Sequence, residues 1–151
     1  MVYLALIPRT VGTLEEQYAI TKSWNQGLQM LWATQGVDDE VNNGGFNQYF
    51  FNSSGQWAME AIEGFLLIGA VERAEIVKAA VDQFFADAPN LKRYYKEHTL
   101  KSFSESYKHT DLGRLDKRWN AAPGFYLART KYIRGHPDEF VLPPSDPARL
   151  H

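Results

Sequence analysis

The feature that most constrains this chain is the recurrence of apolar residues at helical spacing along most of its length. Between residues 72 and 86, Ile76, Val77, Ala80, Val81, Phe84 and Phe85 repeat at steps of three and four, which lays a continuous stripe along a helix. A strand needs alternation with period two, and no strand-turn-strand pattern of any length occurs. The periodicity predicts an all-α chain, with 151 residues making a single compact domain of five to seven helices.

Local signals place the helix ends. Thr13-Leu14-Glu15-Glu16 is a capping box, so a helix should start there, and Leu14, Tyr18, Trp24, Leu28, Leu31 and Trp32 carry its stripe to about Gln35-Gly36. Asp38 and Asp39 can cap a short second helix bearing Phe46, Tyr49 and Phe50 on one face, with Asn42-Asn43-Gly44-Gly45 breaking or delaying it. Ser53 with Gln56 three residues on is a further capping-box pattern, ahead of Trp57, Ala61, Ile62, Phe65 and Ile68, and Gly69 supplies a left-handed stop. Pro89 is expected to close the helix over 72–86. A longer helix follows over 90–107, and residues 108–113 form a loop. Leu115 and Trp119, then Phe125, Ala128, Tyr132 and Ile133, complete the set before Gly135 and Pro137. Residues 1–7 and 140–144 are apolar enough to form a short strand pair.

Composition excludes several classes. With 44% hydrophobic and 23% charged residues the chain lies far from the disordered corner. It has no cysteine, so disulfides, thiolate metal sites and thiol nucleophiles are ruled out. Residues 1–7 have no basic residue before them and run into Pro8, which reads as mature protein rather than a secretion signal. No window approaches the ~20 apolar residues of a membrane span, so a soluble, cytoplasmic protein without a membrane partner is expected. The net charge of -2 hides a division: residues 1–90 carry eleven acids and four bases, whereas residues 91–151 carry seven acids, twelve bases and all four histidines.

Searches for chemistry mostly fail. Asp38-Asp39-Glu40 resembles the start of a calcium loop, but position six is Asn43 and position twelve is Tyr49, where glycine and glutamate are required. The histidines show no ligand spacing, so no metal and no cofactor are expected. Ser53-Ser54-Gly55 lacks a nucleophile elbow, and Gly44-Gly45 lacks the lysine of a phosphate loop. No catalytic residue is assigned. Glu60 with Glu63, and Glu72 with Glu75 and Asp82, set carboxylates at three- and seven-residue steps on helical faces expected to be exposed; Lys78, between Glu75 and Asp82, offers ordinary helix salt bridges.

The run Glu40-Val41-Asn42-Asn43-Gly44-Gly45-Phe46-Asn47-Gln48-Tyr49-Phe50-Phe51-Asn52-Ser53-Ser54-Gly55 resembles the signature of a bacterial domain-of-unknown-function family that includes a DNA-mimic protein. Ile68-Gly69-Ala70, Leu115-Asp116 and Tyr132-Ile133-Arg134-Gly135-His136-Pro137-Asp138-Glu139-Phe140 resemble its further landmarks, and the likeness spans about 18–140. The resemblance implies an all-helical fold and acidic surfaces that occupy the DNA-binding site of a regulator or nucleoid protein. The weak net charge and basic second half depart from that pattern.

Three functions remain open on sequence. The first is non-enzymatic binding of another protein through Asp38, Asp39, Glu40, Glu60, Glu63, Glu72, Glu75 and Asp82, with self-association also allowed. The second is a small-molecule site or enzyme in which Asn42, Asn43, Gln48 and Asn52 line a polar groove. The third is direct nucleic-acid binding by Lys92, Arg93, Lys96 and Lys101 interleaved with Tyr94, Tyr95 and Phe103, which a sequence pI of about 6.1 disfavours.

Overall fold

The capping box at Thr13 forms as expected in a computed structural model of the chain, which describes residues 12–141. Thr13 Oγ1 accepts from the Glu16 amide at 3.2 Å, and Glu16 Oε2 accepts from the Thr13 amide at 2.7 Å. Helix α1, Leu14–Lys22, starts there. It does not run on to Gly36. The Ser23 hydroxyl bonds back to the Ile20 carbonyl at 2.6 Å, and Asn25 Oδ1 accepts from the Leu28 amide at 3.0 Å to cap a new helix. The break leaves Trp24 and Leu28 packed together in the interior.

Helix α2, Gln26–Phe51, is the spine of the fold. It passes through Gly36, Asp38 and Asp39, so the expected helix start at those two acids is wrong. A glycine in mid-helix costs about 1 kcal/mol, and the burial of Met30, Ala33, Val37 and Val41 outweighs it. Beyond α2, Ser53–Trp57 is a 3-10 turn with no side-chain cap, so the expected capping box at Ser53 does not form. Helix α3, Ala58–Leu67, then ends at Gly69 with φ +76°, the left-handed stop the sequence indicated.

Helix α4, Val71–Glu97, runs straight past Pro89, against expectation. Proline inside a helix costs about 3 kcal/mol through its missing donor and ring clash. Pro89 is exposed, where water can serve the freed carbonyl, and buried Leu91 and Tyr94 anchor the segment beyond it. His98, at φ +48°, ends α4, and a Thr99–Ser102 capping box begins α5, Leu100–Ser106. The helix expected over 90–107 is therefore two. Helix α6, Gly113–Ala121, and α7, Tyr126–Gly135, follow, with 3-10 turns at Tyr107–His109 and Pro137–Phe140. The described residues thus hold seven α-helices and no strand, an all-α domain. The proposed strand pair falls almost wholly outside the described residues; of it, Phe140 ends a 3-10 turn.

The core lies where α2, α3, α4 and α6 meet. Phe46, Phe65, Trp119 and Phe125 interlock edge to face, with Phe65 and Phe125 centroids 5.0 Å apart; each such ring contributes about 1.5–3 kcal/mol on burial. Buried Arg73 reaches across from α4 to donate to the carbonyls of Trp119, Ala122 and Pro123 at 2.9–3.1 Å, and its guanidinium stacks 4.2 Å from the Trp119 ring. One side chain thereby satisfies the open end of α6.

Candidate functional site

The signature run is built around an interruption in α2. Gly44 and Gly45 leave helical geometry, and Gly45 takes φ +74°, ψ -178°, a combination essentially restricted to glycine. Helical bonding must restart at Phe46, and the cap for that restart comes from Asp116 on α6, whose Oδ1 accepts from the Phe46 amide at 2.8 Å. A Cβ on Gly45 would lie 2.5 Å from Asp116 Oδ2, so the glycine is required by both torsion and space. Burial pushes the Asp116 carboxyl above its ordinary range, with the Phe46 amide opposing. The Tyr107 hydroxyl closes the other side by donating to the Gly44 carbonyl. Asn47, also buried, donates to Ser106 Oγ at 2.8 Å and accepts from Tyr95 at 3.2 Å. Desolvation raises the Tyr95 phenol well above its usual value.

The motif's amides serve the same framework. Glu40 accepts from Gln48 Nε2 at 2.7 Å, Asn52 Nδ2 at 3.0 Å and Ser54 Oγ at 3.2 Å, tying the helix before the kink to the turn after it. Asn42 donates to Asp38 Oδ1 at 2.9 Å, and Tyr126 donates to the other oxygen of Asp38. Gly55 passes so close to Phe50 that a Cβ would sit 3.2 Å from the Phe50 Cα. Asn43 and Ser53 are exposed. Asn43, Gln48 and Asn52 do line one cleft of about 350 Å³ with Phe51, His98 and Phe103. Gln48 and Asn52 each donate one amide proton to Glu40, which ties both side chains to the framework.

The eight acids proposed as a surface divide. Asp38 and Glu60 are buried, contrary to the expected exposed face, and Glu40 is half-buried. Glu60 Oε1 accepts from Tyr18 at 2.7 Å and Lys22 at 3.1 Å, locking α1 onto α3; its bond holds the Tyr18 phenol and the Lys22 ammonium above their ordinary values. Nearby Tyr49 is sealed in the core, and burial drives its phenol far above its usual range. Asp39, Glu63, Glu72, Glu75 and Asp82 remain exposed. Asp39 accepts from Gln35 at 2.7 Å, and Asp82 pairs with Lys78 at 2.8 Å. At ~100° and ~1.5 Å per residue, Glu72, Glu75 and Asp82 fall in one ~80° sector of α4 over about 15 Å. A duplex carries roughly nine charges in that length, so the row is a sparse likeness of DNA.

The basic half offers no stacking platform from the aromatics singled out. Tyr94 is buried, stacked on His109 and bonded to it at 2.8 Å, while Tyr95 and Phe103 pack edge-on or tilted against Phe51. Among the described residues no group of three metal-ligating side chains occurs, and no helix is long and apolar enough to cross a membrane. Periodicity and spacing give Asp116 no role, although Leu115-Asp116 is one of the landmarks of the family resemblance. Nor does helical phase reveal that Met59 stands 58% exposed, or that Phe85, expected within the buried stripe, stands 69% exposed.

Comparison with curated proteins and with solved structures returns no match. A protein-family model described as DMP19-like protein matches residues 22–136, a span that contains the kinked helix, the Asp116 cap and the core aromatics. The glycine pair and its distant carboxylate both fall inside that span, and the chain belongs to the family of DMP19-like proteins.

Proposed function

We propose that this chain is a non-enzymatic binding domain that covers the DNA-contacting surface of a basic partner protein, in the manner of a DNA mimic. Membership of the family of DNA mimic protein 19 supports the class of activity. The observation that carries the reading is the row Glu72, Glu75 and Asp82, exposed along a single sector of α4, with Glu63 and Asp39 as further exposed carboxylates. Asp38, Glu40 and Glu60 act in the framework instead and take no part in the contact. Only Lys78 interrupts the row, and it offsets Asp82.

Such a surface attracts a basic partner through long-range field, and salt screens it: the Debye length falls from about 10 Å at 0.1 M to 3 Å at 1 M. The test is capture on the immobilised chain from a lysate of its source cells, followed by two challenges. Captured protein should leave in high salt and on addition of excess duplex DNA, and the triple variant E72K/E75K/D82K should capture none of it. Captured protein that stays bound through excess duplex would sink the reading, because a mimic and DNA compete for one surface.

A further inference from the structure

The sparse charge of α4 leaves most of the affinity to be found elsewhere, and the same helix borders an apolar cleft. Leu14 of α1, Met59 of α3 and Phe85 of α4 stand 48%, 58% and 69% exposed around it, over a floor that includes Phe50, Val81 and Phe84. The cleft measures about 420 Å³, and Ser53 and Gln56 are its polar lining side chains. Large side chains exposed together around one concavity mark a contact surface rather than scattered surface apolars.

We infer that this cleft is a docking groove for an amphipathic, basic helix of the partner protein, an inference that rests on the reading above that the partner is basic. Charge identifies the occupant. Every lining residue falls between Leu14 and Phe85, inside the acidic part of the chain. Exposed Glu15 adjoins Leu14, and exposed Asp82 adjoins Val81 and lies one turn before Phe85. The nearest base along α4, Lys78, is held by Asp82 at 2.8 Å. An occupant with an apolar face and lysines or arginines along its flanks satisfies both the floor and the rim. The described residues hold no strand, so no sheet edge is offered for an extended peptide to extend, whereas an amphipathic helix laid in the groove sets its apolar face on the floor and its charged flanks at the rim. A second copy of this chain is a poor occupant, since a two-fold contact here would bring the acidic first half, eleven acids against four bases, against itself.

Charge and burial predict opposite results when acid is placed inside the groove. The full chain is titrated by fluorescence anisotropy with two synthetic amphipathic helical peptides that share one apolar face, one bearing lysines and the other glutamates on the polar face. The lysine peptide should bind and the glutamate peptide should not. M59E and F85E each bring a further negative charge toward the lysine peptide, so attraction by charge alone would tighten binding; a groove requires each to weaken it at least tenfold. Both positions are exposed, and unchanged thermal unfolding of the variants confirms that the fold is kept. Absence of binding by the lysine peptide, equal or tighter binding by M59E and F85E, or occupation of the groove by a second copy in sedimentation would each overturn the inference. The captured partner separates the two proposals. Retention by M59E and F85E with loss by E72K/E75K/D82K removes the groove and keeps the acidic row, and the reverse pattern removes the row.

Discussion

Carboxylates in two neighbouring stretches of this chain are put to opposite uses. In α2 and the first turn of α3, Asp38, Glu40 and Glu60 turn inward and accept seven hydrogen bonds among them, joining α1, α2, α3, α7 and the turn between α2 and α3. Along α4, Glu72, Glu75 and Asp82 face solvent, and Lys78 is the one ion-pair partner described for them. The recognisable stretch is the one whose polar atoms are consumed by structure. The stretch that can meet a partner is the less distinctive one, because an exposed face tolerates exchange of residues. A signature of this kind identifies a fold while leaving the contact surface free to differ.

The contrast breaks if the kink proves dispensable, and the largest effect should come from Gly45→Ala. Alanine must adopt a conformation essentially reserved to glycine and place a Cβ 2.5 Å from the Asp116 carboxylate. Backbone strain of order 1–3 kcal/mol combines with loss of the Phe46 cap, worth about 1 kcal/mol, so chemical denaturation should show a loss of roughly 2–4 kcal/mol. A loss below about 1 kcal/mol would mean the helix can restart elsewhere. Gly44→Ala should cost less, since its Cβ meets the flexible end of Gln48.

Asp116 sharpens the same point by pH. Asp116→Ala removes the acceptor of the Phe46 amide and should cost about 1–2 kcal/mol. Asp116→Asn keeps an oxygen there and should cost less. The folded state raises this carboxyl above its unfolded value, so it holds the proton more tightly than the unfolded chain does. The contribution of that carboxyl therefore favours folding at acid pH and is lost as pH rises from the ordinary aspartate range through the raised value. Asparagine has no such dependence. Measured in denaturant at pH 4 and pH 7, D116N should gain on the native chain at the higher pH, and a gain at the lower pH would contradict the desolvation of Asp116.

The smaller framework effect is expected at Glu40. Three donors converge on its carboxylate, but Asn52 is exposed and Gln48 half-exposed, so water can replace much of what is lost. Glu40→Ala should lower stability by about 1 kcal/mol, less than Gly45→Ala. If it costs more than Gly45→Ala, the carboxylate hub rather than the glycine torsion holds the kink.

What could be read from sequence follows how far each interaction reaches along the chain. Thr13 and Glu16 lie three residues apart and both capping bonds form; Gly69 adopts positive φ beside the helix it ends. The stripe from Ile76 to Ala80 is buried because helical phase alone decides which side faces inward. Pro89 and Asp38 misled because burial of Leu91, Tyr94, Val37 and Val41 against other helices overrode the local signal. The Gly45–Asp116 contact joins residues seventy-one positions apart, and nothing in the period of either helix could announce it. The exposure of Met59 and Phe85 was hidden for a related reason: phase gives a direction around a helix, and only the packed neighbours decide whether that direction is covered.

The acidic row supplies the smallest expected change in stability and the clearest separation of fold from function. Glu72 sits in the first turn of α4, where an exposed negative charge favours the helix N-terminus by about 0.3–1 kcal/mol, and Glu75 lies one turn further on. Reversal to lysine forfeits that favourable interaction, while moving the acidic half, with its eleven acids and four bases, toward neutrality relieves part of its general self-repulsion. The two effects oppose, so E72K/E75K should unfold within about 0.5–1 kcal/mol of the native chain. Capture of a basic partner at low salt should nevertheless fall sharply. A variant that loses both stability and capture would show that the row belongs to the framework as Asp38 and Glu60 do, and the division between the two sets of carboxylates would not hold.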